Sequence, residues 1–168
     1  GGMGFIEETG AAQFYRDARI LTIYEGTTAI QANDLIGRKT LRDAGATALG
    51  LAEAMQQTLR ELNTEIALAH VENAAGLKLI HANLTRAVEA YQSAVHFVLD
   101  HAKTDIRAVY AGSVPYLMLA GNVISGWQLA RSFVAAHQAL ANGDSDTAFL
   151  QAKQVTARFY ADHILSKA

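Results

Sequence analysis

The chain has 168 residues, 14 basic and 16 acidic, with 51% hydrophobic residues, one proline and no cysteine. That length suits one compact domain with a sizeable core, and a single proline among many alanines points to helices. The charges are spread evenly, 4 basic and 5 acidic over residues 1–40 and 10 and 11 over the rest, so there is no basic stripe for a nucleic-acid backbone and no polybasic face for a membrane surface.

The missing cysteines exclude disulfides and thiolate metal sites and suit a reducing, cytoplasmic setting. No apolar run reaches the roughly 18–20 residues needed to cross a bilayer. In chain order, Gly1-Gly2-Met3-Gly4 is backbone that a partner or ligand can approach closely. The first Met sits inside this glycine motif, and no signal-like segment follows, so a piece of a longer protein is expected. A helix is predicted from Glu7, with Glu7, Glu8 and Thr9 in its first turn and Ala11, Phe14, Tyr15 and Ala18 as a buried stripe. Ile20-Leu21-Thr22-Ile23-Tyr24 is β-branched and aromatic. With no second strand to pair with, it is expected to be an extended, buried connection ending at Glu25-Gly26. Thr27 or Thr28 then caps a helix to about Thr40, with Ile30, Leu35 and Ile36 facing inward.

Asp43-Ala44-Gly45 breaks the pattern. A third helix is predicted over 46–63, with Leu49, Ala52, Met55, Leu59 and Leu62 on one face and Asn63-Thr64 as punctuation. The fourth, over 65–102, carries Leu77, Ile80, Leu84, Ala87, Tyr91, Ala94 and Val98 in steps of three and four, the seam of a helical bundle. A fifth helix over 105–141 is expected to kink near Ala111–Pro115, because the proline ring removes a hydrogen bond one turn back. Gly112, Gly121 and Gly126 are expected to let neighbouring helices come close. Asn142-Gly143 suits a left-handed stop. Asp144-Ser145-Asp146 starts a last helix over 146–165, with Phe149, Ala152, Val155 and Phe159 facing in. The fold class is thus all-α, a bundle of about six helices with an extended connection around Ile20–Gly26. Residues 1–43 form a leading segment and residues 44–168 an antiparallel bundle.

Six histidines, His70, His81, His96, His101, His137 and His163, all fall in the bundle. None forms an i, i+4 pair with an acid between, and no Glu-x-x-His pair repeats, so neither a zinc nor a di-iron site is expected. Trp127 and the Phe and Tyr positions read as core. Arg16-Asp17-Ala18-Arg19 is either a surface ion-pair cluster or a buried network fixing the loop beyond it.

Glu25 stands apart. By composition it is an ordinary solvated loop acid. Among apolar walls its pKa would rise, which makes a carboxylate a better proton acceptor from a carbon acid. Gly26 would let a substrate carbonyl approach, and N–H groups at the following helix start could polarise it.

The pieces Gly1-Gly2-Met3-Gly4-Phe5, Tyr15-Arg16-Asp17-Ala18-Arg19-Ile20, Ile23-Tyr24-Glu25-Gly26-Thr27 and Ile30-Gln31, in this order and spacing, closely resemble the C-terminal signature of acyl-CoA dehydrogenases. Residues 111–116 (Ala-Gly-Ser-Val-Pro-Tyr) and 157–163 (Ala-Arg-Phe-Tyr-Ala-Asp-His) resemble the extra C-terminal helical domain of the subgroup that includes methylthiopropanoyl-CoA dehydrogenases. The resemblance implies a flavoenzyme that desaturates an acyl-CoA thioester between its α and β carbons. In it Glu25 is the base for the α-proton, and its backbone N–H, beside Gly26, holds the thioester carbonyl. Gly1 and Gly2 match the end of a motif that contacts FAD across a subunit boundary. Thr27 and Thr28 match positions touching the cofactor's pyrophosphate or adenosine part, and Gln31 matches a recurrent glutamine. Ala29 departs from the family, which often has an amide there, and Arg16 and Asp17 match a pair read as structural support.

The resemblance also implies an electron-transfer flavoprotein as acceptor and a homo-oligomer. The family's N-terminal helical domain and middle β-domain are not in these 168 residues, so this chain alone is expected to bind FAD poorly and to be inactive. Two other readings stand beside this one. One is a helical self-association module without catalysis. The other is a DNA-associated relative of alkylation-response type, which the charge balance of the bundle disfavours.

Overall fold

The computed structural model describes residues 1–24, 26–68 and 71–168, with the backbone alone for 71–73. Glu25 and His70 therefore lie outside the described residues. The described chain is all-α, as the periodicity predicted: α1 Ala11–Ile20, α2 Thr28–Asp34, α3 Ala46–Leu68, α4 Val71–His101, α5 Ile106–Ala111, α6 Ser113–Ala141 and α7 Thr147–His163. Short 3₁₀ turns lie at Gly2–Gly4, Glu7–Thr9 and Leu165–Lys167, and a wider π turn at Leu35–Thr40 follows α2 directly.

The core is the seam of α4 meeting α3, α6 and α7. Leu77, Ile80, Leu84, Ala87, Tyr91 and Val98 are buried, and Ala94 packs at its edge. Ala52, Met55 and Leu62 of α3 face them, with Leu49 and Leu59 partly buried, so both predicted faces hold. Apolar burial of this kind is the main favourable term in folding. Polar groups inside the bundle are paired: Trp127 Nε1 donates to Thr58 Oγ1 at 2.8 Å and Asn83 Nδ2 to the Ala161 carbonyl at 2.9 Å.

Two predicted boundaries move. α3 runs through Asn63-Thr64 to Leu68, because the Thr64 hydroxyl donates back to the Arg60 carbonyl at 3.2 Å instead of capping a new helix. The expected kink near Pro115 is a full break at Gly112 (φ −84°, ψ 4°), which divides the fifth predicted helix into α5 and α6. Pro115 then falls in the first turn of α6, where its missing N–H has no partner to lose. Of the three glycines expected to admit a neighbour, only Gly126 does so. A Cβ there would stand 2.8 Å from Leu165 Cδ1, whereas nothing lies within 4 Å at Gly121 and only backbone of α5 lies near Gly112.

The start and the stop around residues 142–146 behave as the sequence suggests. Asp146 accepts from the Phe149 N–H, and Gly143 takes φ +80° after α6. Asp43 accepts from Gly45 N, Thr47 N and the Thr47 hydroxyl at 3.1, 2.9 and 2.5 Å, which lowers its pKa, the Thr47 hydroxyl contributing most.

Two faces are the reverse of the expectation. The face of α7 that packs inward carries Ala157 and Ala161, with Tyr160 at its edge, while Phe149, Ala152, Val155 and Phe159 point outward. In α1, Phe14 and Tyr15 are 79% and 75% exposed, and Ala11 and Ala18 are exposed too. Both helices have apolar spacing, but only one side of each can meet a core, and nothing in the described chain covers α1.

Candidate functional site

The segment that leads to the site is held by its own local bonds. Gly2–Gly4 turns tightly, with Gly4 N donating to Gly1 O at 3.0 Å, and the Thr9 hydroxyl donates to Met3 O at 2.6 Å. Gly10 takes φ +75°, which separates the Glu7–Thr9 turn from α1 and delays the helix predicted from Glu7. Nothing lies within 4 Å of where a side chain at Gly1 or Gly2 would stand, so the structure does not bring them against another element.

After α1 the chain is neither extended nor buried. Leu21, Thr22 and Ile23 donate to the carbonyls of Ala18, Arg19 and Ile20 at 3.1–3.3 Å, prolonging the helix as a turn to Tyr24. Arg19 decides this locally. Its guanidinium donates to Thr22 Oγ1 at 2.8 Å, and that hydroxyl donates back to the Arg19 carbonyl at 2.9 Å. The Arg16–Arg19 cluster is thus on the surface, with Arg16 also 3.7 Å from Glu7, yet one of its members does fix the loop beyond it. Ile20, Leu21, Ile23 and Tyr24 all stand exposed, Tyr24 at 64%.

Thr27 is extended (φ −60°, ψ 157°); it starts α2, and its carbonyl accepts from Gln31 N at 3.1 Å. The Thr27 side chain makes no capping bond, and Thr28 is likewise exposed. Gly26 is where the predicted residues converge. A Cβ there would stand 3.3 Å from Ile30 Cγ2 and 3.4 Å from Gln31 Nε2, so the missing side chain lets Gln31 fold back over the loop. Gly26, Thr27 and Gln31 therefore share one polar corner beside the exposed Ile30, which was expected to face inward.

Of the α2 and π-turn residues that hold this corner, only Ile36 was expected to face inward. Ala32, Ile36 and Thr40 form one buried stripe that carries α2 and the π turn onto α6. The Thr40 hydroxyl donates to the Leu35 carbonyl at 2.9 Å, leaving its oxygen to accept from Tyr116 Oη at 3.0 Å. Tyr116 stacks on Tyr91, ring centroids 6.3 Å apart, and burial pushes both phenol pKa values up. Tyr110 Oη sits 2.9 Å from where a Cβ on Gly37 would be, so that glycine admits α5 against the turn. The available signal was the 111–116 motif, which ends in Tyr116.

Among the described residues no three His, Asp or Glu side chains gather as a metal site, and no helix is long and apolar enough to cross a membrane. His101, His137 and His163 lie at the rim against Phe97, Phe133 and Phe159 of their own helices.

Comparison with known proteins follows this division of the chain. The family model for the acyl-CoA dehydrogenase C-terminal domain matches residues 1–41, and that described as acetyl-CoA dehydrogenase C-terminal like matches residues 38–168. The chain is 52% identical over 98% of its length to the 3-methylmercaptopropionyl-CoA dehydrogenase of Ruegeria pomeroyi, of which that match covers 26%. It is 36% identical over 98% of its length to the broad-specificity linear acyl-CoA dehydrogenase FadE5 of Mycobacterium tuberculosis, covering 27% of it. A 31-residue stretch, 18% of the chain, is 61% identical to the mitochondrial short-chain specific acyl-CoA dehydrogenase of Rattus norvegicus, covering 8% of that protein. The chain thus spans about a quarter of the length of the Ruegeria and Mycobacterium relatives, and it belongs to the acyl-CoA dehydrogenase family, whose C-terminal helical region it carries.

Proposed function

We propose that this chain works within a longer flavin-dependent acyl-CoA dehydrogenase, where residues 1–43 supply the catalytic base and part of the cofactor site and residues 44–168 form the bundle that anchors them. The observation that carries this reading is 52% identity along 98% of the chain to a dehydrogenase named for an acyl-CoA. Glu25 is the proposed base for the α-proton of an acyl-CoA thioester. Its backbone N–H and Gly26 hold the thioester carbonyl, whose polarisation acidifies that proton. The side chains present suit the polar part of FAD: two exposed hydroxyls at Thr27 and Thr28, the Gln31 amide folded over Gly26, and bare backbone at Gly1 and Gly2. When bound, FAD supplies the acceptor for the β-hydride. An electron-transfer flavoprotein as acceptor, a homo-oligomeric state and a cytoplasmic location complete the proposal. The exposed apolar surface from Ile20 to Tyr24 supports burial against further protein.

The experiment is Glu25→Gln in the longer enzyme, with flavin reduction by acyl-CoA followed by absorbance. Reduction should slow by about 10²–10⁴-fold while flavin content and acyl-CoA binding persist. Near-normal reduction would place the base elsewhere. The 168-residue chain alone should bind FAD poorly, and stoichiometric flavin on it would count against the division of the site proposed here.

A further inference from the structure

The hydroxyls of Thr64, Thr85, Ser93, Ser132 and Thr156 each donate to the carbonyl four residues back, the ordinary reach within an α-helix. Thr40 differs in two ways. Its hydroxyl reaches five residues back, to Leu35, which is the spacing of the π turn, and its oxygen has a second partner in Tyr116 Oη. Both residues are buried. The helix that depends on this joint is α2. It has seven residues, too few to hold a direction unaided, and Ala32 is its one buried side chain. Ala32 and Ile36 supply apolar attraction, which is non-directional and lets a short helix roll on its support. A hydrogen bond weakens steeply when it bends, so the Thr40–Tyr116 bond fixes the roll. Tyr116 can serve because it is itself held. Its ring stacks on Tyr91 within 8° of parallel, and it stands in the first turn of α6 directly after Pro115.

We propose that Thr40 and Tyr116 are positioning residues for the dehydrogenase reaction: the phenol of the bundle clamps the π turn in its wide spacing, and the turn aims α2 with Thr27, Thr28 and Gln31. This rests on the function proposed above. Neither residue is given a contact with substrate or cofactor; both act through α2, so residues 44–168 set a rate as well as a stability. A second buried bond separates these two roles. Trp127 Nε1 donates to Thr58 Oγ1 at 2.8 Å, again through a buried threonine hydroxyl, but it joins α6 to α3 and leaves α2 untouched. Breaking either bond strands a buried polar group and costs stability alike. Only the bond at Thr40 should also slow the chemistry.

The test compares Thr40→Val, Thr40→Ser, Tyr116→Phe and Thr58→Val in the longer enzyme, with circular dichroism and urea midpoints to show that each folds. At saturating acyl-CoA, flavin reduction should slow by about tenfold in Thr40→Val and in Tyr116→Phe, less than the roughly 10²-fold that a 1 Å misplacement can cost. The two together should be no slower than either alone. Thr40→Ser keeps the hydroxyl and should run at the native rate, as should Thr58→Val despite its lower urea midpoint. Amide hydrogen exchange over residues 28–34 should quicken by about tenfold in Thr40→Val and stay unchanged in Thr58→Val. Exchange reads the clamp without the chemistry, so quickened exchange beside normal reduction in Glu25→Gln would count against the proposed base and for the clamp. Native reduction rates in Thr40→Val, equal slowing in Thr58→Val, no rescue by Thr40→Ser, or unchanged exchange would each overturn the clamp.

Discussion

Among the described residues 1–31 no side chain is buried, whereas from Ala32 onward the chain closes on a continuous core that runs from Ile36 to Leu165. The two regions use similar residues. Phe14, Tyr15, Ile20 and Tyr24 on one side are as apolar as Leu77, Tyr91 and Val98 on the other, and both sets recur at helical spacing. The difference lies in what surrounds them. Three long helices bracket α4, while α1 has only its own leading turn beside it. Apolar periodicity states which face of a helix can be covered; it does not state that the cover is in the same chain.

The hardest test of this contrast is a matched pair of truncations. Leu84→Ala empties a fully buried site and should cost about 2–5 kcal/mol, whereas Phe14→Ala on α1 should stay within about 0.5 kcal/mol, both measured by urea unfolding. A large loss at Phe14 would mean that the leading segment packs after all. Within the bundle, Gly126→Ala presses on Leu165 and should cost about 1–3 kcal/mol, while Gly121→Ala, with open space around it, should gain about 0.5–1 kcal/mol from helix propensity. Equal signs at the two glycines would remove the case for close approach at Leu165. The joint between the regions is probed by Tyr116→Phe, which deletes the donor to Thr40 and should lower stability by about 1 kcal/mol.

The smallest effect is in alkaline solution. The phenols of Tyr91 and Tyr116 have raised folded pKa values, so above their ordinary value near pH 10 the unfolded chain loses protons that the folded chain keeps. Stability from these groups is complete below pH 10 and should fall as pH rises beyond it. Tyr91→Phe should flatten that fall, and an unchanged slope would show that neither phenol is held protonated by the core.

Most of the fold was legible. The α4 seam, the α3 face, the Asn142-Gly143 stop and the Asp146 cap follow from spacing and local chemistry, which act within a turn or two. What was misread depends on distant parts of the chain. The outward face of α7 and the exposed face of α1 look like core faces in sequence, because helical phase alone does not choose between two apolar sides. The β-branched residues of the Leu21–Tyr24 turn favour extended backbone; the Arg19–Thr22 bonds prevail over that propensity. At the candidate site, Gly26, Thr27 and Gln31 belong to one local motif, and the helix start sets the Gln31 amide beside Gly26. Thr40, Tyr116 and the Gly37–Tyr110 contact were not legible, since a hydrogen bond between residues 76 positions apart leaves no local trace.

The π turn at Leu35–Thr40 has a further consequence. Leu41 N donates to Ile36 O at 2.8 Å, five residues back, so the joint holds one residue more than an α-helix would. That surplus residue sets a bearing. Deleting Gly37 would let the turn tighten to ordinary geometry, but it would swing α2 by about 100°, lifting Ala32 out of the bundle and carrying Thr27, Thr28 and Gln31 to another compass point. The segment that leads into the bundle should therefore forgive changes of residue more readily than changes of length.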